Sequence, residues 1–330
     1  MPRLLLVQTG FLGDAVLSTA LIRALHDARP EIEVGLLVRA DVADLFRGHP
    51  GLYRLHTLNK QRKGATRGMI EEVRAERYDA ALLPHRSIRS AWMMLRARVP
   101  RRIGFAVSEA PWMLTDRVPY RIVEHETERN ARLLARFGVE TGEPSTWLVP
   151  DVEARRRVQA RLKDESRRVV VIAPGSVWPT KRWTEQGFIV LVQGLVDRGY
   201  RAVLAGSRQE APLCRRIGER AGLAEEDNMA GQLSLVELLA LISLAHRVIA
   251  NDSAPAHIAE SIGVSATVIY GPTTPAFGFG PRMPGSAIVE SGALKCRPCG
   301  IHGGRRCPLG HHQCMTRIPA DRLIAAIDTW

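Results

Sequence analysis

No run of apolar residues in these 330 residues approaches the roughly 20 needed to cross a bilayer as a helix. The opening Met1-Pro2-Arg3-Leu4-Leu5-Leu6-Val7 is too short, and too soon polar, for a secretory leader. It reads as a first strand, and the expected location is the cytoplasm. The Gly-x-Gly-x-x-Gly order of dinucleotide sites is missing after that strand, which disfavours NAD. A phosphate loop of the Gly-x-x-x-x-Gly-Lys-Ser/Thr kind is missing too. Acids are scarce where bases crowd. Arg54, Lys60, Arg62, Lys63 and Arg67 have none among them, and neither do Arg86, Arg89, Arg96, Arg98, Arg101 and Arg102. Those clusters also lack interleaved Tyr, Phe or Trp for base stacking, so a nucleic-acid role is not expected.

What is present is globular. Apolar residues make up 45% and charged residues 24%, and 46 Lys and Arg against 34 Asp and Glu leave a formal charge of +12. Two basic clusters in the N-terminal half suit a phosphorylated or lipid-bound partner, or a solubilising surface.

Short aliphatic runs alternate with amphipathic segments, the pattern of parallel strands joined by crossover helices. The first half offers strands at Leu4–Gln8, Glu33–Val38, Ala80–Leu83 and Arg102–Phe105. Its helices are expected at Asp14–Ala28, Thr66–Arg77, Ser87–Arg98 and Thr127–Phe137. Pro144 to Pro150 breaks the pattern, and a helix-favouring stretch, 152–165, opens a second set. Its strands are Arg168–Ala173, Ala202–Ala205, Arg247–Ala250 and Thr267–Tyr270, and its helices are Thr184–Arg198, Gln209–Ala221, Ser234–Ala245 and Ala254–Ile262. The expected fold is α/β, with two Rossmann-like parallel-sheet domains, 1–150 and 151–330, facing across a cleft. Ligands in such sheets sit at the carboxyl ends of strands.

Three loops carry chemistry at those ends. Thr9-Gly10-Phe11-Leu12-Gly13-Asp14 places a carboxylate at a helix start, where it could equally be a cap. Ala173-Pro174-Gly175-Ser176 runs to Thr180-Lys181-Arg182-Trp183, joining small residues, hydroxyls and two cations that suit a diphosphate. Asn251-Asp252-Ser253-Ala254-Pro255-Ala256-His257 opens another helix whose free N–H groups suit an anion. Gly271-Pro272-Thr273-Thr274-Pro275 adds hydroxyls at the same edge.

The tail Cys296-x2-Cys299-x7-Cys307-x6-Cys314, with His311 and His312, allows a tetrahedral structural zinc site. Disulfides are disfavoured in a reducing cytosol, and four free thiols are the other reading. Cys214 stands alone as a small buried hydrophobe.

Taken together, Pro174-Gly-Ser-x4-Lys181-Arg-Trp183, Asn251-Asp-Ser-x3-His257-Ile-Ala259 and Gly271-Pro-Thr-x-Pro275 resemble glycosyltransferase family 9, the lipopolysaccharide heptosyltransferases. The Cys-rich segment 296–314 resembles the heptosyltransferase II branch. The resemblance covers the whole chain and implies a GT-B fold, with an N-terminal acceptor domain and a C-terminal nucleotide-sugar domain. It implies inverting transfer of heptose from ADP-heptose to the phosphorylated inner core on lipid A. Under it, Asp14 is the general base and Lys181 faces the donor phosphates. Ser176, Arg182, Glu210, Asp252, Ser253 and His257 complete the donor site, with Glu210 on the adenosine ribose. The basic stretches Lys60–Arg67 and Arg86–Arg102 would then face the phosphorylated acceptor and the anionic inner membrane whose cytoplasmic face carries it, with Lys60, Arg62 and Lys63 as the acceptor-binding residues. The sequence contains no Asp-x-Asp, the usual metal grip of sugar-nucleotide enzymes, so catalysis is expected to need no metal. Two other readings remain open: another GT-B enzyme such as an epimerase, and a non-catalytic phosphate- or RNA-binding module.

Overall fold

The computed structural model describes residues 1–140, 142–163 and 166–328. The chain divides into two compact units, Met1–Val149 and Pro150–Trp330.

The first unit runs β1 (Arg3–Gln8), α1 (Leu12–Ala28), β2 (Glu33–Arg39), β3 (Arg54–Leu58), α2 (Ala65–Glu76), β4 (Ala80–Leu83), α3 (Ile88–Arg96), β5 (Arg101–Phe105), β6 (Asp116–Val118) and α4 (Glu126–Ala131). Its sheet is parallel throughout, in the order β3-β2-β1-β4-β5-β6. The central strands β1 and β4 bury Leu4 to Val7 and Ala80 to Leu83, the continuous apolar runs that a sheet covered on both faces requires. Strand order reverses between β1 and β4. That reversal opens a crevice at the carboxyl end of β1, where the Gly10–Asp14 loop begins.

The second unit runs α5 (Val152–Leu162), β7 (Val169–Ala173), α6 (Glu185–Asp197), β8 (Arg201–Leu204), α7 (Ala211–Ala221), α8 (Leu235–Ser243), β9 (Arg247–Asn251), α9 (Ala254–Ser261), β10 (Ala266–Tyr270), β11 (Ala287–Glu290), α10 (Gln313–Thr316) and α11 (Ala320–Asp328). Its parallel sheet has the order β11-β10-β9-β7-β8, which reverses between β7 and β9. Both strands end in the polar loops singled out above. Caps start the helices: Asp151 accepts from Ala154 N at 2.7 Å, and Thr184 accepts from Gly187 N at 3.0 Å.

Three strands were not expected: β3, β6 and β11. All lie at sheet edges and are short and partly exposed; β3 and β6 lack an aliphatic run, and β11 has only Ala287-Ile288-Val289. The helix expected over Thr127–Phe137 is α4 followed by a 3₁₀ segment, Arg132–Phe137. The last two residues of the expected stretch 152–165 lie outside the described residues.

Candidate active site

In the second unit, Asn251 ties the two switch-point strands together. Its buried amide donates to Pro174 O at 2.8 Å and Gly175 O at 3.2 Å, while its oxygen accepts from Trp183 N at 2.9 Å. This fixes both ends of the Ser176–Arg182 loop relative to β9. Lys181 Nζ then reaches Asp252 Oδ2 at 2.5 Å, and Thr273 Oγ1 donates to the same oxygen at 2.7 Å. Three loops, from the ends of β7, β9 and β10, thus converge on one carboxylate.

Ser176 is buried at the start of this loop, and its carbonyl accepts from Arg182 Nε at 2.9 Å, folding that guanidinium back on the loop. Ser253 caps nothing; its hydroxyl donates to Asn251 O at 3.1 Å. His257 is buried next to Asp252 and Lys181. Burial pushes its imidazole down to about 4, so it is neutral at physiological pH. Glu210 leaves the end of β8 and accepts from Ser207 N at 2.8 Å and Ser207 Oγ at 2.9 Å. Its side chain lies over Gly175, where an added Cβ would fall 1.9 Å from Glu210 Oε1. Glycine is needed there for close approach, and Glu210 joins the same loop cluster. The sequence reading passed over Asn251 and Thr273 as site residues, although both lie inside the motifs.

In the first unit, Asp14 is not the N-cap but the third residue of α1. Its Oδ2 accepts from Phe11 N at 3.2 Å, the reciprocal half of a capping box. Lys60 turns inward to donate to Thr9 O at 2.6 Å, at the loop leading to Asp14. Burial, with Arg39 and Arg89 nearby, holds the Lys60 ammonium below the ordinary lysine value. Arg62 and Lys63 are exposed and do not join it.

A constellation that sequence reasoning missed faces Asp14 from α4, which packs on α1. Glu126 pairs with the fully buried Arg129 at 2.8 Å, and Arg129 lies 4.8 Å over the Tyr120 ring. Burial pushes the Glu126 carboxyl up to about 7; Arg129 opposes the shift and Asp14 adds to it. No periodicity marks Glu126, because only the fold buries it.

Among the described residues no three His, Cys, Asp or Glu side chains form a group able to hold a metal ion. Cys314 is drawn into the core beside Met315, whereas Cys299 is exposed and its thiol donates to Cys296 O at 3.3 Å. Cys296, Cys299, Cys307 and Cys314 form no disulfide. Cys214, as expected, is buried.

Two parallel α/β units, with a cationic and hydroxyl-bearing loop cluster at the switch point of the second, make up a GT-B fold. The sequence profile "Glycosyltransferase family 9 (heptosyltransferase)" matches residues 66–305, and the chain belongs to that family. Lipooligosaccharide heptosyltransferase 2 of Haemophilus ducreyi is 24% identical over 99% of this chain and 98% of its own length. Among solved structures, a glycosyltransferase family 9 protein from Veillonella parvula superimposes with a TM-score of 0.86 at 20% identity, covering 99% of this chain and 96% of its own. The Escherichia coli ADP-heptose LPS heptosyltransferase II superimposes at 0.81 and 22% identity, covering 99% and 98%.

Proposed function

We propose that this chain transfers a heptose from ADP-heptose to the phosphorylated inner core of lipopolysaccharide, with inversion, in the manner of a heptosyltransferase II. The observation that carries the reading is the meeting of Lys181 and Thr273 at Asp252, at the switch point of the second sheet. It supports a diphosphate site there, as does the first turn of α9, whose N–H groups open beside it. The second unit then holds the nucleotide sugar, with Glu210 on the ribose, and the first holds the acceptor.

Inverting transfer needs a base for the acceptor hydroxyl and charge stabilisation for the departing diphosphate. Asp14 takes the hydroxyl proton as the acceptor oxygen attacks the anomeric carbon. The bond to the diphosphate breaks, and Lys181 with Arg182 meets the charge that develops on the leaving oxygen. With no Asp-x-Asp in the sequence, these cations replace a divalent ion. Lys60, at the Thr9 carbonyl, sits where an acceptor phosphate would be met, and the enzyme works at the cytoplasmic face of the inner membrane.

The test is turnover of ADP-heptose with a set of core-truncated lipopolysaccharides, with and without EDTA. Transfer to an inner-core acceptor that persists in EDTA is the expected result. Donor consumption without any acceptor would favour an epimerase instead, and activity restored only by magnesium or manganese would remove the metal-free mechanism.

A further inference from the structure

Helix α3 buries Ser90, Ala91, Met93 and Met94 against the first unit and turns the opposite face to solvent. That outer face is not polar. Ile88, Trp92 and Leu95, spaced four and three residues apart, lie on one side of the helix and are 46%, 40% and 41% exposed. Trp112, 66% exposed, stands on the 3₁₀ turn Pro111–Met113 that packs against α3. Large apolar side chains gathered on one exposed helix face need a partner to justify them.

Charge identifies the partner. Arg89 and Arg96 flank the stripe on α3 itself, and the Arg96 guanidinium lies 6.0 Å over the Trp92 ring. Arg98 is exposed on the adjoining segment, while Arg86 turns to the Tyr120 ring and Arg101 to Asp116. The one acid between residues 86 and 115 is Glu109, and its Oε2 is occupied by Ile88 N at 2.9 Å. Aromatic and aliphatic side chains ringed by arginine match the boundary between lipid headgroups and acyl chains. There indole rings sit at headgroup level and guanidinium groups meet lipid phosphates. A second copy of the same face would bring like charges together, so self-association is disfavoured.

We propose that the outer face of α3, with Trp112, docks this chain onto an anionic lipid bilayer. Trp92, Leu95 and Ile88 enter the headgroup layer, and Arg89 and Arg96 pair with lipid phosphates. This deepens the membrane-face part of the proposed function and rests on it, while its test needs neither the sugar donor nor the transfer chemistry.

The experiment is co-sedimentation of the full chain with vesicles of phosphatidylcholine alone, or of phosphatidylcholine with about a third phosphatidylglycerol, a fraction chosen to give a strongly negative surface. The wild-type protein should pellet with the anionic vesicles, with a blue shift in tryptophan emission. Trp92→Ser with Leu95→Ser should lower the partition coefficient by on the order of tenfold or more while leaving the melting temperature near that of wild type. Arg89→Gln with Arg96→Gln should weaken binding to the anionic vesicles on a similar scale. Three results would overturn the proposal. One is wild-type protein that stays in the supernatant. Another is an apolar double variant that binds as well as wild type. The third is a wild-type dimer in sedimentation velocity that the Trp92→Ser, Leu95→Ser variant converts to monomer, which would make the face a protein interface.

Discussion

Thr180 and Gly304 exchange hydrogen bonds in both directions. Gly304 N donates to Thr180 Oγ1 at 2.7 Å, and Thr180 Oγ1 and Thr180 N donate to Gly304 O at 3.0 and 3.2 Å. His312 Nε2 adds a bond to Thr180 O at 2.7 Å. On the other side, Arg297 Nη2 donates to Thr273 O and Cys299 N to Pro272 O, each at 2.8 Å. The Cys-rich segment therefore braces the residue before Lys181 and the backbone of Thr273, the two partners of Asp252.

Thr180→Val keeps the shape of the side chain and removes the bridging hydroxyl. ADP binding measured by calorimetry should weaken by roughly three- to tenfold, the worth of about one net hydrogen bond. In a Lys181→Ala background the same change should cost little more, because the brace acts through the lysine. Equal losses in both backgrounds would reduce Thr180 to general stability. Cys299→Ser should leave ADP binding unchanged, since the backbone N–H makes the contact.

Asp14→Asn retains an oxygen for Phe11 N and removes the proton acceptor. Turnover should fall by roughly 10²–10⁴, with donor affinity and melting temperature little changed. Lys181→Ala should weaken both donor binding and turnover, and it leaves Asp252 buried without its cation. An Asp14→Asn enzyme that keeps most of its turnover would leave that carboxylate as a cap alone.

Gly175→Ala drives a methyl group into Glu210. Donor affinity should drop about tenfold, in line with a buried steric clash, and the drop should largely vanish when Glu210 is already alanine. Competition assays with ADP on the single and double variants read this directly.

Glu126 and His85 set opposing pH trends in the first unit. The folded Glu126 carboxyl titrates at about 7 instead of near 4.5, so its contribution to stability is complete below 4.5 and is lost as pH rises through 7. Burial pushes the His85 imidazole down to about 4 from near 6.5, so its contribution is complete above 6.5 and is lost as pH falls toward 4. Between pH 7 and 4.5 the two offset each other. Glu126→Gln should therefore steepen the fall in melting temperature on acidification. Parallel curves for wild type and variant would show that Glu126 titrates normally.

Much of the architecture was legible because central parallel strands must be aliphatic throughout. Val169–Ala173 and Ala266–Tyr270 announce themselves in this way, and the polar loops after them mark the strand ends where a switch-point site forms. The strand Arg54–Leu58 had no such signal: its only apolar residues are Leu55 and Leu58, and the buried position between them is His56. Nor did Glu126, whose burial depends on α1 packing over α4, a contact between residues far apart in sequence. The Cys-rich tail was read from spacing alone, which does not say that the packing of Met315 against Gly271 sets the neighbouring Cys314 into the core while Cys299 stays exposed.

Under the proposed function, the pairing of Lys181 with Asp252 tempers the hold of the site on its own product. A sugar diphosphate diester carries two negative charges, and the freed nucleoside diphosphate carries about three at neutral pH, its terminal phosphate having a second pKa near 6. Lysine alone would favour the more highly charged species, and a fixed carboxylate 2.5 Å from it offsets that extra attraction. In that reading Asp252 both orients the cation and keeps it from gripping the spent nucleotide more tightly than the donor, so turnover need not stall on the leaving group.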